Sequence, residues 1–272
     1  MSLNRPIWKL KDWIDIQKLE WDYLSFNKNA IYILKDNKDN INWSYLSLNE
    51  NAIELLEDNP EKINWDNLSY NKNAIKLLEH NQDKINWDNL AFNENAIELL
   101  QDNPDKINWS LLSINKNAIH MIEKNLDKID WSFLSLNQNA IKLLEHNQDK
   151  INWIYLSKNK NAIKLLEQNP DKIDWDYLSE NEETIKILED NPEKINWNNL
   201  SLNPNAIILL QQNKNKIDWI NLSSNPSIFQ LDYDMMNINN QEMYQELIKE
   251  VMKPSRVFKN PDYDYLEELF GD

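Results

Sequence analysis

The sequence predicts an all-α chain: an α-solenoid of about ten 22-residue repeats, two short helices in each, with divergent N- and C-terminal caps. Three observations predict it. Trp21, Trp43, Trp65, Trp87, Trp109, Trp131, Trp153, Trp175, Trp197 and Trp219 stand 22 residues apart with no insertion or deletion, and self-similarity at a fixed period of this size marks stacked repeats. Each Trp is followed three positions on by a Leu, Leu24 to Leu222, and preceded two positions back by Leu19 and then by Ile, from Ile41 to Ile217. Between these markers the apolar residues fall at helical spacing, and the breaks carry Asn or Asn-Pro.

Taken in order, residues 1–20 keep only fragments of the pattern, with Trp8 and Trp13 out of register, and read as an N-terminal cap. Residues 21–231 are the repeat array. In "NENAIELLED", beginning at Asn49, Ala52, Ile53 and Leu56 share one side of a helix, with Leu55 beside them. Asn49 is the expected N-cap, because its side-chain oxygen can accept from first-turn amides. Asn203-Pro204 and Asn225-Pro226 support that register by placing Pro at the first helical position. Asn59-Pro60, Asn103-Pro104, Asn169-Pro170 and Asn191-Pro192 end the helix and begin a fresh turn. Whether "PEKI" is a separate turn or merges with the next helix is open at this level. In "NWDNLS", Asn64 caps a second helix that presents Trp65 and Leu68 to one side. Nothing alternates apolar and polar for long, and Asn and Lys are poor strand residues, so strands are not expected. After Leu231 the periodicity stops. "NNQEMYQELIKEVMK" reads as an amphipathic helix and "NPDYDYLEELFGD" as a short acidic one, making 232–272 a C-terminal helical cap or accessory module.

A unit this short cannot bury its apolar face alone, so copies must stack. With helices about 8–10 Å apart, stacking predicts a rod or superhelix on the order of 100 Å long. The Trp row is expected to be its buried structural ladder, each indole worth roughly 4–6 kcal/mol by area.

The formal charge of −16 argues against general binding to duplex DNA or anionic membranes. No Cys is present, which excludes disulfides, thiolate nucleophiles and zinc–sulfur sites. No run of 18 apolar residues and no signal-peptide core occurs, so an intracellular chain with no membrane contact is expected. The many Asn, Ile and Lys have AT-rich codons, a skew attributable to the genome.

The combination "NP-x-x-I-N/D-W-x-x-L-S-x-N-x-N-A-I-x-L-L" resembles short Asn- and Trp-rich repeats encoded by giant nucleocytoplasmic DNA viruses. The exit segment "NPSIFQLDYDMM" (Asn225–Met236) and the tail "MKPSRVFKNPDYDYLEELFGD" are similar to the C-termini of those viral proteins. The resemblance covers roughly residues 21–265. It implies an α-helical repeat protein acting in the cytoplasm of an infected host, or packaged in a virion, and carries no catalytic residues onto this chain.

Catalytic, cofactor and metal sites are not expected. His80 and His146 share a repeat position three units apart, about 30 Å by stacking, and His120 lies in another row. The carboxylates read as a solvated face. Ser follows Leu in nine of ten copies without a fixed His partner, which suits a helix-end hydrogen bond better than a nucleophile. Gly is absent before Gly271, so no phosphate-cradling loop exists. Lys62, Lys84, Lys106, Lys128, Lys150, Lys172, Lys194 and Lys216 form a row, but an acid precedes all but the last and no aromatic is fixed beside it in the sequence.

The second residue after each Trp varies from Asn to Phe, a rim between units or part of a partner surface, and Tyr45, Phe133, Tyr155 and Tyr177 are the candidate partner-binding residues. The row from Tyr32 and Glu54 to Ile208 switches charge freely and reads as solvent-facing. The leading expectation is a non-enzymatic, monomeric scaffold that binds a host or viral protein. A structural, adaptor or virion component using the rod as a spacer is the alternative, and an RNA-binding repeat protein a lesser one.

Overall fold

The computed structural model describes residues 6–251. The chain divides into a large unit, Leu10–Phe229, and a small one that takes in both chain ends. The large unit is an all-α array of 22-residue repeats with stacked neighbours. Each repeat opens with a Trp helix of four to six residues, from Trp21–Phe26 to Trp219–Ser224. In the first nine an Ile helix follows, from Ile31–Asp36 to Ile207–Gln212. In most copies a 3₁₀ turn such as Pro60–Lys62 then leads to the next Trp, so "PEKI" is a turn of its own.

The Asn or Asp before each ladder Trp from Trp43 onward caps the Trp helix as the sequence predicts. The Asn64 side-chain oxygen accepts from the Asn67 amide at 2.9 Å, and Asp130 accepts from Phe133 at 3.0 Å. Asn49 does something else. The Ile helix begins after Ala52, and Asn49 is 1% exposed. Its Nδ2 donates to the Ser25 and Asn27 carbonyls of the preceding repeat, both at 2.9 Å, while its oxygen accepts from the Asn51 amide. A neutral amide with two N–H groups is needed here, since a carboxylate could donate neither bond. The same row repeats at Asn71, Asn93 and onward to Asn225, every member at most 2% exposed. Asn richness is therefore structural and not only a codon effect. Two of the Asn-Pro copies keep the expected capping in reduced form, as Asn203 and Asn225 cap 3₁₀ turns with Pro at the first position.

The Ser row gives a second set of bonds. Ser47 Oγ donates to the Trp43 carbonyl at 2.8 Å and accepts from the Asn64 amide of the next repeat at 3.0 Å. A hydroxyl that donates and accepts joins one helix end to its neighbour.

These bonds also join the last repeat to the first. Asn27 Nδ2 donates to the Ser223 and Asn225 carbonyls at 3.0 and 2.9 Å, Glu20 N donates to Ser223 Oγ at 2.9 Å, and Asn29 Nδ2 donates to the Pro226 carbonyl at 3.0 Å. Each is the counterpart of a bond at the interior junctions, and helices Trp21–Phe26 and Trp219–Ser224 pack as neighbours. The large unit is thus a closed ring, and the expected open rod is corrected. Continued curvature lets the first repeat cover the last, so no apolar end face is left to hide.

The tenth repeat is assembled from both ends of the chain. After Ile228 the Ile helix is missing, and β2 (Phe229–Leu231) pairs with β1 (Trp8–Leu10). Lys11 N donates to the Ile228 carbonyl at 2.9 Å. Residues 16–18 then form the 3₁₀ turn before Trp21, with Asp15 capping it. Two short strands therefore exist where none is expected. They need no alternating pattern, since three residues paired once suffice to fasten the ends. In the small unit, Asp232 N donates to the Ile7 carbonyl at 2.8 Å, and helix Tyr233–Val251 covers most of the predicted amphipathic segment. The predicted acidic helix near the C-terminus lies outside the described residues.

Candidate functional site

The core is built from the smaller residues of the repeat. Every Leu of the Leu24-to-Leu222 row is 0% exposed, as are Leu34, Leu56 and their counterparts in the Ile helices. The Ala and Ser rows are buried with them. The ten ladder Trp residues are half-buried, which differs from the expectation of a buried ladder. An indole at the first position of a short helix lies beside the Leu row, and one of its faces is left for another group.

That group is the lysine of the turn that ends the same repeat. Lys62 stands over the Trp43 ring at 4.4 Å, Lys106 over Trp87 at 4.3 Å and Lys150 over Trp131 at 4.3 Å. Lys18 over Trp219 at 4.9 Å continues the row in the tenth repeat, between residues from the two ends of the sequence. The Lys row thus has an aromatic fixed beside it, the Trp 19 residues earlier in the sequence. Both partners are on the surface, where such a contact contributes about 0.5–1 kcal/mol. Trp21 alone in the ladder has no cation over it among the described residues, because Asn40 occupies the lysine position.

At six of the ten junctions the Trp helices of neighbouring repeats pack closely on one another, as Trp219–Ser224 on Trp21–Phe26 and Trp153–Lys158 on Trp175–Glu180, whereas no two Ile helices are packed comparably. In a closed ring the closer layer is the inner one. Ten helices with axes about 8–10 Å apart close a circle roughly 26–32 Å across, and helices about 10–12 Å thick leave a lumen about 15–20 Å wide. The exposed flank of the Trp helices, opposite the buried Leu, lines it.

The predicted residues Tyr45, Phe133, Tyr155 and Tyr177 lie on that flank, all half-buried. The ring brings three of them together: Phe133 and Tyr155 have centroids 6.2 Å apart, and Tyr155 and Tyr177 6.0 Å. Tyr45 stacks instead on Tyr23 at 5.7 Å. Where this row holds Asn, the side chain bonds the preceding repeat, as Asn89 does to the Asp66 carbonyl at 2.9 Å. The position is a junction contact that aromatic stacking and amide bonding both satisfy.

A neighbouring row was not singled out from the sequence. The fifth residue after each Trp is apolar in six consecutive repeats: Phe26, Leu48, Tyr70, Phe92, Ile114 and Leu136. Phe26 is 44% exposed and Tyr70 38%, while the rest are half-buried. Tyr70 and Phe92 have centroids 5.1 Å apart. The arc ends at Lys158 and Glu180, paired at 2.6 Å beside a polar cavity of about 220 Å³. An uninterrupted apolar run at one repeat position was the signal available.

Other chemistry is sparse. His80 and His146 are exposed, each with Nδ1 donating to a carbonyl four residues back at 2.6 Å, and exposed His120 faces Glu123 at 3.8 Å. Among the described residues no group of three or more His, Asp or Glu could hold a metal ion, and no helix is long and apolar enough to cross a membrane. Burial raises the Tyr70 phenol pKa above 10.0, and the nearby Asp88 carboxylate raises it further. No protein-family model, curated protein or solved structure matches the chain, and its functional reading rests on these rows of side chains.

Proposed function

We propose that the chain is a non-enzymatic, monomeric ring scaffold that binds a protein partner on the exposed flank of its Trp helices. The observation that carries this is the arc of partly exposed apolar side chains from Phe26 to Leu136, continuous through six repeats. Contiguous apolar surface is atypical of a protein without a partner, and aromatic residues supply the anchors of interfaces. A surface held by repeat-to-repeat bonds is ordered before binding, which lowers the cost of association. The lysine row is engaged with indoles and the formal charge is −16, neither of which favours RNA. A role in infected-host cytoplasm or in a virion is supported by the resemblance to giant-virus repeats alone.

The test is affinity capture from lysate with the full chain beside two variants, one with Tyr45, Phe133, Tyr155 and Tyr177 changed to Ser and one with Phe26, Tyr70 and Phe92 changed to Ser. A partner retained by the parent and lost by either variant with unchanged melting supports the reading. A partner retained by both variants places the contact elsewhere.

A further inference from the structure

The exposed flank carries charge as well as apolar surface, and the two together define a partner class. We propose that Phe26, Leu48, Tyr70 and Phe92, with Asp22, Asp66 and Asp88 one turn earlier, form the docking surface for a basic amphipathic helix of another protein. This rests on the reading of the ring as a protein-binding scaffold.

Asp22, Asp66 and Asp88 are exposed, and each precedes its aromatic residue by four positions. Acid and aromatic therefore stand about one helical turn, roughly 5.4 Å, apart on one flank. Each carboxylate accepts one bond from the cap Asn of the next repeat, at 3.0, 3.0 and 2.9 Å. Among the described residues none of the three is paired with a cation. On the far side of the ring Lys158 and Glu180 neutralise one another. The Asp88 field reaches the Tyr70 hydroxyl, whose pKa is raised first by burial and then by that carboxylate. The arc is thus apolar and carries three carboxylates that no salt bridge engages among the described residues, while the nearby lysines Lys84 and Lys106 are seated on Trp65 and Trp87.

A helix running along the lumen presents residues four apart at the same one-turn spacing, so it can set Leu or Ile on the aromatic row while Lys or Arg meets the aspartates. Its thickness of about 10–12 Å fits the lumen. An acidic helix would be repelled, as would a second copy of a chain carrying −16.

The experiment is fluorescence anisotropy with the full chain and three labelled peptides: Leu/Lys in an amphipathic helical pattern, Leu/Glu in the same pattern, and Leu/Lys scrambled. The patterned Leu/Lys peptide is expected to bind. Asp22→Asn, Asp66→Asn and Asp88→Asn together, and Phe26→Ser, Tyr70→Ser and Phe92→Ser together, each weaken it by about tenfold or more. Ile154→Ser on the far side leaves it unchanged. If the Ser variant melts early, the Asn variant decides, since its changes are on the surface. Equal binding of the scrambled peptide overturns the proposal in favour of simple charge attraction. Equal binding of Leu/Glu overturns the basic partner but leaves the scaffold reading standing. Failure of every peptide, with a lysate partner still lost in the Ser variants, overturns the helix alone. Failure of the peptides and of lysate capture together overturns both readings.

Discussion

The side-chain amide of Asn27 donates to the main-chain carbonyl of Asn225 at 2.9 Å, across 198 residues of sequence. Its other donor bond, to the Ser223 carbonyl, completes at the closing junction what Asn49 makes with Ser25 and Asn27. Asn27→Ala strips buried carbonyls of their donor, and a loss of about 2–4 kcal/mol is expected at about 1–3 per unsatisfied group. Asn137→Ala, at an interior junction, is expected to cost a similar amount by denaturant unfolding. A much smaller effect at Asn27 would mean that the ring is not closed in solution.

Ala91 is the one member of the Ser row without a hydroxyl, so the Asn108 amide lacks the acceptor that Ser69 offers Asn86 at 3.1 Å. Ala91→Ser should add that bond and its partner to the Trp87 carbonyl. About 1 kcal/mol and a rise in melting temperature of roughly 2–4 °C are expected.

The half-buried Trp ladder and the fully buried Leu row invert the ranking that size alone suggests. Leu134→Ala is expected to cost about 3 kcal/mol, and Trp131→Ala about 2, less than the 3–5 typical of a core aromatic. Chemical denaturation of the two variants measures the order directly.

Asn40→Lys would supply the cation missing over Trp21. A gain of about 0.5–1 kcal/mol is expected, with quenching of one indole in the fluorescence spectrum. No gain would show that the other lysines owe their position to chain geometry alone.

Tyr70 holds its proton more tightly in the folded chain than when unfolded. Its contribution is therefore constant below the unfolded value near 10 and is lost as pH rises through the folded value. Comparing melting of the parent and Tyr70→Phe between neutral pH and pH about 11 should show the parent falling further.

The repeat length, the Trp-helix caps and the Asn-Pro turns were legible in the sequence, because each is decided within a few residues. Closure was not. It rests on contacts such as Glu20 with Ser223, 203 residues apart, and on strands of three residues each. A trace existed: Lys18 and Leu19 stand at the positions of the Lys and Ile rows, one repeat ahead of Asn40 and Ile41. The buried work of Asn49 was hidden for a different reason. An Asn before an apolar helix has the composition of an N-cap, and only the neighbouring repeat shows where its amide points. The four candidate aromatic residues lie on the exposed flank of the inner layer. The row three positions further on, apolar from Phe26 to Leu136, became distinct once that flank was seen to line a ring.

Because the junction between the tenth and first repeats uses the kinds of bond found at the interior junctions, position in the ring is independent of order along the chain. A circular permutant with residues 6 and 231 joined by a linker, and new termini cut between Asn125 and Lys128, should keep every junction. An open solenoid can gain or lose a repeat at little cost. Here one repeat more or fewer changes the turn required at every junction at once, so gene duplication can no longer lengthen the array by a single step.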